Sequence, residues 1–151
     1  MTGIIVTDTP TITVTATEPP RAVIHATSGP QGTPGESIVV FGHSHVLTVT
    51  AGASRYRFPF PATLVGISAA VGTAPTGAPI LIDVNRSGAT VFGFPSDRLS
   101  IAAGEHDAAE TTEILHSAIA AGDYLTCDID QVGSSDPGAD LTVFIRYQRN
   151  D

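Results

Sequence analysis

The sequence predicts an all-β protein: an antiparallel two-sheet sandwich of the jelly-roll-like type, preceded by an extended N-terminal arm and a short Gly-X-Y neck. Along the 151 residues, short runs rich in Thr, Val and Ile alternate polar with apolar side chains. That period of two is typical of half-buried strands. Clusters of Gly, Pro, Asn and Asp separate the runs at short intervals, as expected for hairpin turns in an antiparallel sandwich.

Residues 1–28 predict short edge-type strands. The segment contains Ile4 and Val6, and then the run TITVT (11–15), in which Ile12 and Val14 alternate with threonines; prolines bound these runs. A segment with three prolines and neither Leu nor Phe cannot bury a core of its own. We therefore expect a docking arm that a partner orders. A strand added to the main domain is the alternative.

Residues 29–37 read GPQGTPGES, three Gly-X-Y triplets in register. Gly29, Gly32 and Gly35 hold the first position of each triplet, and only glycine fits where three polyproline-II chains meet at an axis. The period predicts a short collagen-like neck if the flanking domain trimerises. A plain Gly/Pro linker explains the same residues.

Residues 38–151 predict the sandwich, which is long enough to bury one core. Segment 79–92 is expected to form a hairpin. Segment 106–121 is rich in Ala and Glu, but Thr111-Thr112 and the Ala-Ala-Gly stop favour a strand over a helix. The predicted strands are 46–50, 56–60, 63–71, 79–84, 89–93, 98–102, 111–118, 123–132 and 140–148.

The charge composition excludes several classes of function. Charged residues make up 15% of the chain, against about 25% in typical soluble domains, which predicts a surface partly covered by other subunits. The net charge of −8, with seven Arg and no Lys, argues against nucleic-acid binding because phosphate neutralisation needs clustered cations. No apolar stretch is long enough to insert in a membrane, and the N-terminus lacks the features of a signal peptide.

The residue types used in catalysis occur without the partners that catalysis needs. Cys127 is the only cysteine, which excludes a disulfide within one chain and predicts a small packed hydrophobe. Asp128 and Asp130 share one strand face, a spacing that fits an acid–base pair or plain solvent exposure. Residues 83–88, DVNRSG, resemble the start of a calcium loop, but Phe94 stands where the bidentate Glu belongs. We expect no catalytic residue and no cofactor.

His43 and His45 are the candidate metal ligands. Two imidazoles at i and i+2 face the same way from an extended chain. In a three-fold assembly they would present six nitrogens to one axis, which suits an octahedral transition-metal ion. An exposed, polar strand start is the simpler reading.

Arg55 and Arg57 alternate with aromatic residues. Tyr56, Phe58 and Phe60 share one strand face, which predicts an inward aromatic stripe. The two arginines then point outward, where they could meet acidic groups of a neighbouring subunit. We count them with Gly29, Gly32, Gly35 and the apolar residues of the arm as predicted docking and oligomer contacts.

Six motifs follow one another along the C-terminal region: GASRYRFPF (52–60), GTAPTG (72–77), ILIDVN (80–85), AGDYLT (121–126), DQVG (130–133) and GADLTV (138–143). This series, over about residues 46–148, resembles a C-terminal domain of virion proteins of tailed bacteriophages that infect actinobacteria. Proteins of that family are often minor tail proteins with a collagen-like repeat before the domain. Three triplets are fewer than the family usually carries. The resemblance implies a trimeric β-sandwich on the virion, without catalytic residues.

Composition and resemblance together predict a non-enzymatic virion structural protein. We expect a small homotrimeric surface appendage of the minor tail protein type, assembled in the host cytoplasm and anchored to major capsid or tail proteins by its N-terminal arm. A capsid decoration protein on the head shell is the first alternative. A module that binds glycans of the host cell envelope is the second.

Overall fold

The computed structural model describes residues 2–6, 12–16, 22–26 and 35–150. The chain divides into two compact units, Met1–Thr33 and Pro34–Asp151. Apart from one 3₁₀ turn at Pro95–Asp97, the described residues form no helix. They therefore contain no helix with the length and hydrophobicity needed to cross a membrane.

The N-terminal unit contains three antiparallel strands in the order β1-β2-β3: Thr2–Val6, Ile12–Ala16 and Ala22–Ala26. Ile4 pairs with Val14, and Val6 with Ile12, so the predicted alternating runs are strands that pair with each other. The docking role of these residues stays a prediction. Gly29 and Gly32 of the predicted neck lie outside the described residues.

The C-terminal unit is a sandwich of two antiparallel sheets, which confirms the predicted fold class. Its strands are β4 (Glu36–Val46), β5 (Tyr56–Arg57), β6 (Ala62–Thr73), β7 (Ile80–Arg86), β8 (Ala89–Thr90), β9 (Leu99–Ile101), β10 (Asp107–Thr111), β11 (Ala118–Ile119), β12 (Tyr124–Gln131) and β13 (Ala139–Arg149). One sheet has the order β10-β6-β13-β4, with β11 also paired to β6. The other has the order β5-β12-β7-β8, with β9 also paired to β7.

The core lies between the two sheets, because each long strand turns every second side chain inward. Strand β13 is central to its sheet and pairs with β4 on one side and β6 on the other. The largest fully buried side chains come from both sheets and include Ile67, Ile145, Ile82, Leu125 and Phe58. Chain connections that pass repeatedly from one sheet to the other close the sandwich.

The predicted hairpin at 79–92 is confirmed. Strands β7 and β8 pair antiparallel, with Asn85 opposite Thr90 and Arg86 opposite Ala89. Ser87 and Gly88 between them both have positive φ angles, 48° and 91°. Two consecutive residues with positive φ make the tight turn whose twist matches the flanking strands.

Two predicted strands lie elsewhere. No strand spans 46–50: β4 extends from Glu36 to Val46, where it pairs with β13, and after it Thr50 forms an isolated bridge with Ile129. Glu36 and Ser37 therefore pair in the sandwich, although the sequence placed them in the neck. The strand expected at 111–118 is two short strands, β10 and β11, which pair with successive parts of β6. The preference for strand over helix in this region was correct.

Candidate functional site

Strand β4 is apolar on both of its faces. Val39 and Phe41 are buried in the core, whereas Ile38 and Val40, which alternate with them, are 57% and 55% exposed. A strand with one solvent face normally alternates apolar with polar residues, and a continuous apolar run is typical of a strand covered on both faces. The run 38–41 thus has the composition of a strand covered on both faces, whereas the described residues 35–150 cover one face.

Strand β4 is also an edge strand. It pairs with β13 from Glu36 to Val46, and within the described ranges no strand pairs with its other side. Natural edge strands are protected by short length, charged residues, proline or bulges. The eleven-residue β4 carries one acid, at its first position, and one irregularity, near its C-terminal end. Its middle carries none of these protective features, although residues 50–54 lie across a cleft from residues 40–43.

Phe144 and several smaller residues lie beside Ile38 and Val40 on the same side of the sheet. Val40 lies opposite Phe144, which in turn lies opposite Ser68 on β6. The neighbouring row joins Gly42, Thr142 and Ala70 in the same way. We call the following set the outer face: Ile38, Val40, Gly42, Ser68, Ala70, Thr142 and Phe144.

One arginine lies at the end of the outer face, and its charge is shared. Arg146 forms ion pairs with Glu36 of β4 and, at 2.5 Å from Nε to Oε1, with Glu110 of β10. The hydrogen bond that Arg146 donates to the Glu110 carboxylate is the largest cause that raises the pKa of Arg146 above its ordinary value. Gly66 leaves room for this arrangement, because a Cβ there would overlap the Glu110 carboxylate.

The two predicted metal ligands differ in backbone geometry. His43 is in regular pairing with Leu141 of β13, but His45 has φ 68° and its N–H donates to Oδ1 of Asp140, 2.8 Å away. The chain at His45 is therefore not the extended strand that the i, i+2 argument assumes. The described part of a single chain has no cluster of three or more His, Cys, Asp or Glu able to hold a metal. A site on a three-fold axis draws on three chains and stays a prediction.

A cleft with a volume of about 260 Å³ lies between β4 and residues 50–54. His43, Gly52 and Cys127 are among the residues that line it. Burial, and secondly the nearby carboxylates, raise the pKa of the Cys127 thiol to about 12. The thiol is therefore protonated at neutral pH and is not an activated nucleophile, as the sequence interpretation of a packed cysteine expected.

Two aspartates of the second sheet, Asp83 and Asp130, form ion pairs with Arg98. Asp83 is buried, accepts a hydrogen bond from Thr90 and pairs with Arg98 at 3.3 Å. Desolvation is the main reason that the pKa of Asp83 is raised, and Thr90 and Arg98 oppose it. Arg98 also reaches Asp130, at 2.9 Å. These ion pairs fasten the segment after β8 onto the sheet.

Asp128 has a different set of partners. Its two carboxylate oxygens accept hydrogen bonds from the N–H of Gly52, at 2.6 Å, and from Asn85, at 2.8 Å. A Cβ at residue 52 would meet the backbone carbonyl oxygen of Cys127 at 2.2 Å, so only glycine allows this close approach. Asp128 thus holds the loop after β4 against β12.

Arg55 and Arg57 are exposed, as the alternation predicted. The guanidinium of Arg55 lies 4.6 Å from the ring centroid of Tyr124, a cation–π contact within the chain. The aromatic stripe points inward: Phe58 is fully buried, and its ring meets those of Tyr56 and Tyr147 edge-on at 4.9 and 5.1 Å. Contacts of the two arginines with another subunit stay a prediction.

Sequence reasoning missed the outer face of β4. The signal was present in the unbroken apolar run Ile38-Val39-Val40-Phe41, which does not alternate as the other strands do. The ion pairs of Arg146 carried no sequence signal, because Glu36 and Glu110 are far from it along the chain.

No protein-family model and no curated protein matches the chain. Among solved structures, the chain is similar to a chain of the cyanophage Pam1 capsid asymmetric unit, with a TM-score of 0.52 and 17% sequence identity. The match covers 90% of this chain and 98% of that chain, so the two are of similar length. At this level of identity the similarity establishes the fold.

Proposed function

We propose that this chain is a non-enzymatic structural protein of a bacteriophage particle, and that it decorates the capsid shell. The observation that carries the proposal is the fold similarity to a capsid chain over nearly the full length of both chains. A chain that matched only one domain of a large shell protein would not support a separate decoration subunit. Here the matched chain is as small as this one.

The chemistry of the described residues supports a structural role. The carboxylates that the sequence offered as acid–base groups hold loops against the second sheet. The one thiol is buried and protonated. The low charge content and the apolar outer face suit a surface that packs against other proteins. On this proposal the chain is a homotrimer on the virion surface.

A minor tail protein is the second candidate. The ordered series of motifs between residues 52 and 143 favours it, because that series resembles tail proteins of actinobacterial phages. In both candidates residues 1–28 anchor the protein, to the major capsid protein in the first and to a tail protein in the second. Binding of a host-envelope glycan is a further activity that the tail location would allow.

Cryo-electron microscopy of the assembled particle tests the location. We expect density for the sandwich at regular positions on the head lattice. Density confined to the tail would overturn the decoration role in favour of the second candidate. Absence of the chain from both head and tail, checked by mass spectrometry of purified particles, would overturn a virion role altogether.

A further inference from the structure

We propose that the outer face and the free edge of β4 form the interface between copies of this chain, with two further copies packed around a three-fold axis. The proposal rests on the trimer in the proposed function and assigns the surface that makes it. Its occupant is a second copy of this chain, rather than the shell or the chain's own N-terminal unit.

The composition of β4 favours an interface on this surface. Ile38 and Val40 are more than half exposed, on the side of the strand opposite the core. Phe144, which is partly exposed, lies opposite Val40 on the same side of the sheet and extends this apolar surface, while the neighbouring Ser68, Ala70 and Gly42 are small. A contiguous apolar patch of this kind on a soluble domain marks a surface for another protein.

The position of β4 directly after the Gly-X-Y segment favours another copy of the chain as the occupant. Gly35, the last glycine of the Gly-X-Y segment, directly precedes Glu36, where β4 begins. If three chains meet at the neck, three β4 strands start at the same axis. Ile38 follows Gly35 by three residues, about 10 Å along an extended chain. The exposed apolar side chains of β4 therefore lie close to the predicted neck. If three chains meet there, another copy of the chain is the nearest partner that can cover them.

The charge of Arg146 also permits this surface to be covered. The cation beside the outer face, Arg146, is already shared by Glu36 and Glu110. Covering the face with the apolar residues of another copy therefore leaves no lone cation buried, which would be strongly destabilising. Because Arg146 already pairs with the carboxylates of Glu36 and Glu110, the outer face has no unpaired arginine that would attract an acidic ligand.

The test compares the mass of the full chain with that of two variants by sedimentation velocity at micromolar concentration. We expect the wild type near three times 15.5 kDa and Val40→Glu at the mass of one chain, a three-fold drop, with an unchanged circular dichroism spectrum. Leu115→Glu is the matched control, because Leu115 is 68% exposed and is not part of the outer face. It should keep the wild-type mass.

Cysteine labelling supplies a second measurement that does not depend on an added charge. Cys127 is buried and protonated, so Ile38→Cys and Leu115→Cys each give one reactive thiol. We expect a maleimide reagent to label Cys at position 115 at least ten times faster than Cys at position 38 in the full chain. Equal labelling rates would contradict a covered outer face.

The remaining outcomes separate this proposal from the proposed function. A monomeric wild type would overturn the interface, even if position 38 were protected, since the chain's own N-terminal unit would then be the cover. A trimer that persists in Val40→Glu would overturn the assignment of the surface. A monomeric wild type and a persistent Val40→Glu trimer both leave the location on the particle undecided. The electron microscopy described above tests that location separately.

Discussion

Asp123 stabilises the turn between β11 and β12 through its carboxylate. One oxygen accepts the N–H of Ala120 at 3.0 Å, and the other accepts the hydroxyl of Ser87 at 2.9 Å. The backbone hydrogen bond is the largest cause that lowers the pKa of Asp123, followed by the bond from Ser87. Both bonds favour the charged carboxylate, so the interaction depends on pH.

We predict that Asp123→Asn destabilises the protein more at pH 6 than at pH 3. An aspartate whose folded pKa is lowered stabilises the fold above its unfolded pKa of about 3.9 and loses that contribution as the pH falls through its folded pKa. The thermal midpoints of wild type and variant, followed by circular dichroism, should therefore converge in acid. Ser87→Ala keeps the charge and removes one donor, so its effect should be smaller. The same difference in thermal midpoint between wild type and Asp123→Asn at pH 6 and at pH 3 would contradict this role of the carboxylate charge.

The short strand β5 and the segment after it are held by a few backbone hydrogen bonds, two of which involve Phe58, and by aromatic packing. Only Tyr56 and Arg57 pair with β12, yet Phe58 is fully buried and its ring contacts Tyr147 of β13. A hydrogen bond with Tyr147 is the largest cause that raises the pKa of Tyr56. This cluster therefore links β5 to the opposite sheet.

We predict that Phe58→Ala lowers the free energy of unfolding by about 3–5 kcal/mol, as for other buried aromatic residues. Phe94→Ala removes the same ring from a site that is 71% exposed, and its cost should stay within about 0.5 kcal/mol. Urea unfolding followed by circular dichroism measures both. Similar costs for the two variants would show that the aromatic cluster is not a core element.

The sandwich should fold without the N-terminal unit. The buried core of the described residues extends from Val39 to Tyr147, within the second compact unit. We predict that a variant lacking residues 1–28 keeps a β-type circular dichroism spectrum and a cooperative thermal transition. The same variant should fail to attach to particles that lack the protein. A non-cooperative transition would contradict the first expectation, and retained attachment would contradict anchoring by the arm.

Much of this protein follows from local pattern. Alternation predicted the sandwich, the inward Phe58 and the hairpin after β7, because a period of two and turn-forming residues act over a few neighbours. The same local reasoning misplaced β4 and merged β10 with β11. Those strand limits depend on where β13 and β6 offer hydrogen-bonding partners, which are far away along the chain.

By itself, the sequence determined the all-β class, the packed role of Cys127 and the outward direction of Arg55 and Arg57. Only the tertiary structure decided that β4 is an edge strand with an uncovered apolar side, and that Arg146 is shared by Glu36 and Glu110. The physical reason is that strand order and exposure are set by pairing between distant segments. An apolar run looks the same in the sequence whether one face or both are covered.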